Sequence, residues 1–186
     1  MGDTLECLRE FYSSTNGEAW TRDDNWAEGT DPCTFYGAWC NSGNILGLSL
    51  SNNNLSGELP ACLAEMDFMK IDVSNNAIGG ELPANIFDNT VFIDLTNTSI
   101  AGKLDLSTLK KATDVSLSNT QLQITVSGEL PSTAKAIDVS YSNFEMIVDD
   151  LLAKIQTSTE LEVFSAKHTH LYGQQPTNHQ IHSLAR

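Results

Sequence analysis

Positive charge is scarce in this chain, in which 10 lysine and arginine residues stand against 24 aspartate and glutamate residues. The formal net charge of -14 would repel a nucleic-acid backbone or an anionic membrane surface. Long hydrophobic runs are also missing, so we expect no membrane insertion. Partners are therefore expected to be neutral or basic, and nucleic acid is not expected among them.

Cysteine is equally scarce, and its four positions lie in the first third of the chain without a C-x-x-C pair. An even number in this arrangement favours disulfides over zinc. The chain also lacks an initial basic segment followed by an apolar one, the pattern of a secretory signal. We expect either a cytoplasmic protein or one whose signal was removed before residue 1.

The 186 residues are 40% hydrophobic and 18% charged, which is enough apolar material for one folded domain. A repeating pattern runs through most of it. The series L-x-L-x-x-N-x-L-x-G-x-L-P spans Leu48–Pro60 and recurs over Ile71–Pro83 with Ile or Val at three of its Leu positions. Looser copies begin at Ile93, Val115, Ile137 and Phe164.

This phased series resembles the leucine-rich-repeat family, in the plant and protist subtype that carries L-S-G-x-L-P after the asparagine. The resemblance covers residues 44–176 and implies an α/β repeat solenoid, a short right-handed horseshoe of about six repeats with a parallel sheet on its concave face. Residues 1–43 are then expected to form an N-terminal cap, and residues 177–186 a C-terminal tail. Between the fifth and sixth repeats, residues 149–156 predict a short helix.

In such repeats the asparagine that follows each strand turns inward and bonds backbone groups of the turn. A hydroxyl at this position satisfies fewer groups than a carboxamide. The corresponding ladder in this chain is Asn53, Asn76, Thr98, Thr120, Ser142 and Thr169.

The segment before the repeats predicts a helix with Leu5, Leu8, Phe11 and Tyr12 on one face. The run D-P-C-T-F-Y-G-A-W-C at residues 31–40 resembles the cap of this repeat subtype. That resemblance implies a disulfide between Cys33 and Cys40. The remaining Cys7 and Cys62 would join the cap to the first repeat, unlike the usual plant arrangement; the alternative is two buried free thiols.

The outward strand positions define the expected binding face. They form the column Ser49, Asp72, Asp94, Ser116, Asp138 and Ser165, beside which Phe92 and Asp114 lie in a second column. This small, polar, acidic surface suits a polar ligand or a basic patch of a partner. The alternative is that these side chains only keep an exposed sheet soluble. Ice binding by ranks of Ser and Thr is a remoter alternative, because acidic residues interrupt the ranks.

We expect no enzyme, no cofactor and no metal site. Adjacent aspartates such as Asp72 and Asp94 arise from any repeat with Asp at one phase, and the pattern supplies no nucleophile with its base. The late histidines are expected to face solvent rather than to bind metal; they are His168, His170, His179 and His182. The glycosylation sequons at Asn54 and Asn97 follow from the repeat consensus and leave glycosylation open.

The resemblance therefore implies a non-catalytic recognition module that binds a protein or glycan through its concave face. Two alternatives remain: an inhibitor of a secreted hydrolase, and a structural subunit of a surface coat or larger assembly. We expect the protein to be secreted or on the cell surface, with the cytoplasm as the alternative. The sequence leaves the oligomeric state open.

Overall fold

The computed structural model describes residues 2–173 and 184–185, with side chains for residues 4–173. Within them are two α-helices, α1 (Gly2–Ser14) and α2 (Val148–Thr157). The strands are β1 (Ala38–Asn41), β2 (Asn44–Ser49), β3 (Ser56–Glu58), β4 (Lys70–Asp72), β5 (Ala77–Gly79), β6 (Phe92–Asp94), β7 (Lys103–Asp105), β8 (Asp114–Ser116), β9 (Gln123–Thr125), β10 (Ala136–Asp138), β11 (Asn143–Ile147), β12 (Val163–Ser165), β13 (His170–Tyr172) and β14 (Leu184–Ala185).

The main sheet takes one short strand from each copy of the repeat, as the L-x-L pattern predicts. Its strand order is β1-β2-β4-β6-β8-β10-β12-β14. The strands from β2 to β12 are parallel, whereas β1 and β14 add antiparallel at the two edges. Each first apolar residue of the pattern lies opposite that of the next copy, so Leu48 pairs with Ile71 and Ile71 with Ile93.

A second parallel sheet, in the order β7-β9-β11-β13, and the pair β3-β5 are formed by residues that follow the ladder position of each repeat. Ile124 of β9 and Phe144 of β11 are fully buried, and the Phe144 ring lies 6.1 Å from that of Phe164 in the main sheet. The inward residues of both sheets thus belong to one hydrophobic core. Burial of each large aliphatic or aromatic side chain contributes about 1.5–3 kcal/mol.

The backbone turns sharply where each main-sheet strand ends. The residue just before each ladder position has a left-handed conformation, with φ between 50° and 55°. Asparagine tolerates this conformation better than most residues, and it occupies the first four of these positions. The six residues are Asn52, Asn75, Asn97, Asn119, Tyr141 and His168. The repeated asparagine before the ladder therefore serves the turn, which the sequence analysis did not recognise.

The N-terminal segment packs as a cap on the first repeat. Helix α1 buries Leu8 and Phe11 completely, on the face that the sequence predicts. Trp26 is fully buried among aromatic rings, with ring centroids 5.0 Å from Trp20 and 4.9 Å from Phe35. Aromatic pairs at such distances stabilise beyond their buried area.

The structure contains two disulfides, and they join the pairs that the sequence analysis considered. Cys33 is bonded to Cys40 within the cap, and Cys7 of α1 is bonded to Cys62 in the first repeat. Cys7 and Cys62 are therefore bonded to each other in the structure and are not the two buried free thiols of the alternative expectation.

Helix α2 covers the predicted helical segment and buries Leu151 and Ile155 against the core. It fills the longer interval between β11 and β12. Of the expected tail at residues 177–186, only β14 belongs to the described residues, and it pairs with β12.

Candidate binding face

The predicted column of outward residues is brought into register on the solvent side of the main sheet, which we call the main-sheet face. Strand pairing places its members opposite one another in the order Ser49, Asp72, Asp94, Ser116, Asp138 and Ser165. All six are half-buried. Neighbouring parallel strands lie about 4.8 Å apart, so the carboxylates of Asp72 and Asp94 belong to adjacent positions of one row.

The three aspartates of this row make the same local hydrogen bond. Oδ1 of Asp94 accepts the backbone N–H of Thr96 at 2.9 Å, and Oδ1 of Asp138 accepts that of Ser140 at 2.9 Å. Oδ1 of Asp72 accepts from the backbone N–H of Ser74 at 3.2 Å and from its hydroxyl at 2.7 Å. Each carboxylate thus serves the turn behind its strand. A neutral carboxamide has the same acceptor oxygen, so this local role does not require a charge.

Asp94 lies between the other two aspartates of the row, and the pKa of its carboxyl group is raised above the ordinary value. Burial raises the pKa of its carboxyl group, and the negative charges of Asp72 and Asp138 raise it further. Hydrogen bonds from the backbone and the side chain of Thr96 oppose this change without cancelling it. The charged form of Asp94 is therefore disfavoured in the folded protein.

The variant Asp94→Asn should unfold at the same temperature as the wild type at neutral pH, or at a higher one. Asparagine keeps an acceptor for the Thr96 N–H but removes the disfavoured charge. Because the folded pKa is raised, protonation favours the folded wild type, and any advantage of the variant should shrink as the pH falls through that pKa. Thermal unfolding followed by circular dichroism at several pH values measures this.

Asp105 offers a control, because the pKa of its carboxyl group is shifted in the opposite direction. Burial alone would raise the pKa of its carboxyl group, but hydrogen bonds from Ser127 and Ser107 lower it overall. The charged form is favoured there, so Asp105→Asn should destabilise the protein at neutral pH. A lower melting temperature for Asp94→Asn than for Asp105→Asn would contradict the assignment.

The second predicted column lies beside the first and has mixed chemistry. Phe92 pairs with Lys70 on one side and with Asp114 on the other. The Nζ atom of Lys70 lies 5.0 Å from the centre of the Phe92 ring, a cation–π contact. Asp114 accepts a hydrogen bond from the Thr113 hydroxyl at 2.6 Å.

A groove of about 560 Å³ opens where this column meets the cap. The predicted residues Ser49 and Phe92 line it, together with residues that the sequence analysis did not select. The added residues include Trp39, Met69 and Val91. Trp39 belongs to the cap, and Met69 and Val91 lie just before the repeat patterns that begin at Ile71 and Ile93. Only the three-dimensional arrangement therefore reveals this groove.

The remaining candidate residues do not gather into a site. His168 stacks on Tyr141, with ring centroids 4.6 Å apart, and His179 and His182 lie outside the described residues. No group of three or more His, Cys, Asp or Glu side chains arranged to hold a metal occurs in the part of the chain that the structure describes. Both sequon amides donate hydrogen bonds, Asn54 to the Ala19 carbonyl at 2.7 Å and Asn97 to Asn75 at 2.7 Å.

None of the helices within residues 2–173 is both long and apolar enough to cross a membrane.

Comparison with known proteins places these features in a known fold. The family model described as Leucine Rich Repeat matches residues 44–66. No curated protein matches the chain. Solved structures do match, and one is the ectodomain of the receptor kinase SOBIR1 from Arabidopsis thaliana, with a TM-score of 0.73 and 17% identity. That match covers 95% of this chain and 98% of the ectodomain chain.

Two further matches are longer proteins. A plant ice-binding protein matches with a TM-score of 0.72 and 19% identity, over 92% of this chain and 57% of its own. The Arabidopsis receptor kinase HAESA, in complex with the peptide hormone IDA and the co-receptor SERK1, matches with a TM-score of 0.71 and 19% identity. That match covers 92% of this chain and 30% of HAESA's. This chain therefore spans only part of these two proteins, and the matches confirm the predicted solenoid fold.

Proposed function

We propose that this leucine-rich-repeat protein is a non-catalytic recognition module that binds a neutral or basic protein partner through its main-sheet face. The observation that carries the proposal is the row of Asp72, Asp94 and Asp138. These carboxylates repel one another, and the charged form of the central one is disfavoured by burial. A cationic group of a partner would offset both effects, which gives this face a preference for positive charge.

Relatives in fold support a protein as the partner. HAESA, which shares the solenoid, is in complex with a peptide hormone and a co-receptor. A solenoid suits this task because its side chains stand on a rigid sheet at regular spacing. A partner can therefore be bound without the cost of ordering loops first.

The proposal includes an extracellular location, secreted or at the cell surface. Disulfides persist mainly in oxidising compartments, and the structure contains two. The SOBIR1 match, an ectodomain, is consistent with this location.

Neutralising the row tests the proposed face. The triple variant Asp72→Asn, Asp94→Asn, Asp138→Asn should stay folded and weaken the captured partner's binding about 30-fold, as expected for a loss of about 2 kcal/mol from three half-exposed ion pairs. The experiment immobilises the protein, captures proteins from a surface extract of its source organism, and measures the affinity of each captured protein against both forms.

The matched control neutralises three exposed acids that lie outside the main sheet, Asp88, Asp149 and Asp150. It changes the net charge equally and should leave the affinity intact. A partner that binds the triple variant and the wild type equally would reject the main-sheet face and favour an assembly subunit that docks through another surface. A captured hydrolase whose activity falls on binding would identify an inhibitor, and a captured glycoprotein whose binding is lost on deglycosylation would identify a glycan ligand.

A further inference from the structure

The groove beside the cap lies where the edge strand β1 of the main sheet meets the first repeats, and its lining includes Trp39, Ser49 and Lys70. On the main-sheet face, Trp39 of β1 lies opposite Gly47 of β2, and Gly47 lies opposite Lys70 of β4. A Cβ atom at Gly47 would come within 2.5 Å of the Lys70 carbonyl oxygen. The close approach of β2 and β4 therefore leaves no room for a side chain at residue 47, and Gly47 itself is buried.

Large apolar side chains line the groove and remain partly in contact with water. Trp39 is 46% exposed and Met69 is 40% exposed, and Val91 and Phe92 complete the apolar lining. Hydration of this much apolar surface is unfavourable, and contiguous exposed patches of this kind commonly mark interaction sites. A side chain of suitable size would displace water from all four at once.

The carboxylate row begins directly beside the groove. Asp72 follows Lys70 by two residues on β4, and Asp94 follows Phe92 by two residues on β6. Side chains two residues apart on a strand share a face and lie about 7 Å from each other. Lys70 rests against the Phe92 ring, which leaves the space between Asp72 and Asp94 to a cation from outside.

We propose that the groove holds an aromatic or branched aliphatic side chain of an extended peptide segment, whose arginine or lysine two residues away binds between Asp72 and Asp94. This inference rests on the proposed function and specifies the partner's chemistry. Alternate side chains of an extended peptide share one face and have the same spacing as the groove and the carboxylates. A second copy of this chain would meet like charge, since each carries -14. A neutral glycan has no cation for the row.

The test selects binders from a displayed library of short random peptides on the immobilised protein. Enriched sequences should pair an apolar residue with Arg or Lys two positions away. The most enriched sequence is then made as a fluorescein-labelled synthetic peptide, and its affinity is measured by fluorescence anisotropy. Replacing its apolar residue by Ser, or its basic residue by Gln, should each weaken binding at least about tenfold.

Variants of the protein locate the two halves of the site. Trp39→Ser and Met69→Ser should each weaken binding of the synthetic peptide about tenfold. The double variant Asp72→Asn, Asp94→Asn should weaken it by the same factor. Trp39 belongs to the cap, so Trp39→Ser could lose binding because the cap is disturbed. Met69→Ser tests the groove without changing a cap residue. The matched control is Tyr141→Ser, because Tyr141 is 54% exposed and lies outside the groove.

The outcomes separate this inference from the proposed function. If the aspartate variants weaken peptide binding but Trp39→Ser and Met69→Ser do not, the groove is not part of the site, and the proposal of binding through the main-sheet face still holds. Peptides insensitive to both sets would count against both proposals. A library that yields no enriched peptide would reject the groove as a peptide site, as would binding of an arrayed glycan that depends on Trp39; the capture experiment would still decide the broader proposal.

Discussion

Replacing Cys7 and Cys62 together by alanine is expected to lower the free energy of unfolding by about 4 kcal/mol, the largest loss we expect from removing one link. The two residues are 55 positions apart, and their bond joins helix α1 to the first repeat. Without it the unfolded chain gains the freedom of a long open segment. Urea unfolding of the wild type and the variant, both without reductant, measures the difference.

The second disulfide supplies the control. Cys33 and Cys40 are 7 positions apart, so removing their bond should cost about 2.5 kcal/mol on the same argument. Both variants lose two sulfur atoms near the cap, and they differ mainly in the length of chain that is closed. Equal losses would show that chain closure is not the main contribution of the Cys7–Cys62 bond.

Asn76→Ala is expected to lower the free energy of unfolding by about 3 kcal/mol, because several buried backbone groups would lose their partner. The Asn76 side chain accepts hydrogen bonds from the backbone N–H groups of Asn53 at 3.0 Å and Leu55 at 2.9 Å. Its amide group donates to the carbonyls of Leu50, Val73 and Ser74. Alanine can replace none of these bonds, and the site has little access to water.

The next position of the ladder offers a direct comparison. Thr98 is equally buried, but its hydroxyl makes one such bond, to the Leu95 carbonyl at 2.8 Å. Thr98→Ala should therefore cost about 1 kcal/mol. If both variants unfolded at the same urea concentration, the carboxamide would not have the role in the turn that its five bonds indicate.

The ladder shows how far a repeat pattern predicts structure. The asparagine at one phase of the repeat predicts an inward carboxamide, and Asn53 and Asn76 are both buried. The same pattern predicts that a hydroxyl does less, and Thr98 and Thr120 each bond a single carbonyl of their own turn. Asn53 differs from the other ladder residues, because its side chain makes hydrogen bonds with the backbone of Arg22 and so joins the cap to the first repeat. That partner comes from outside the repeat, and no periodicity could have named it.

The sequence by itself determined the parallel strands of the main sheet and the in-register row of Asp72, Asp94 and Asp138. It did so because the period of the apolar residues fixes which side chains point inward, and the outward ones then align from repeat to repeat. Its resemblance to a known family indicated the solenoid fold, whereas the second sheet was not predicted. Only the tertiary structure decided the groove. Trp39 lines it because β1 adds antiparallel to β2 at the edge of the main sheet, which brings this cap residue to the same groove as Met69 and Phe92 of the repeats. The raised pKa of Asp94 likewise depends on burial and on charges in neighbouring repeats, which are set when the solenoid assembles.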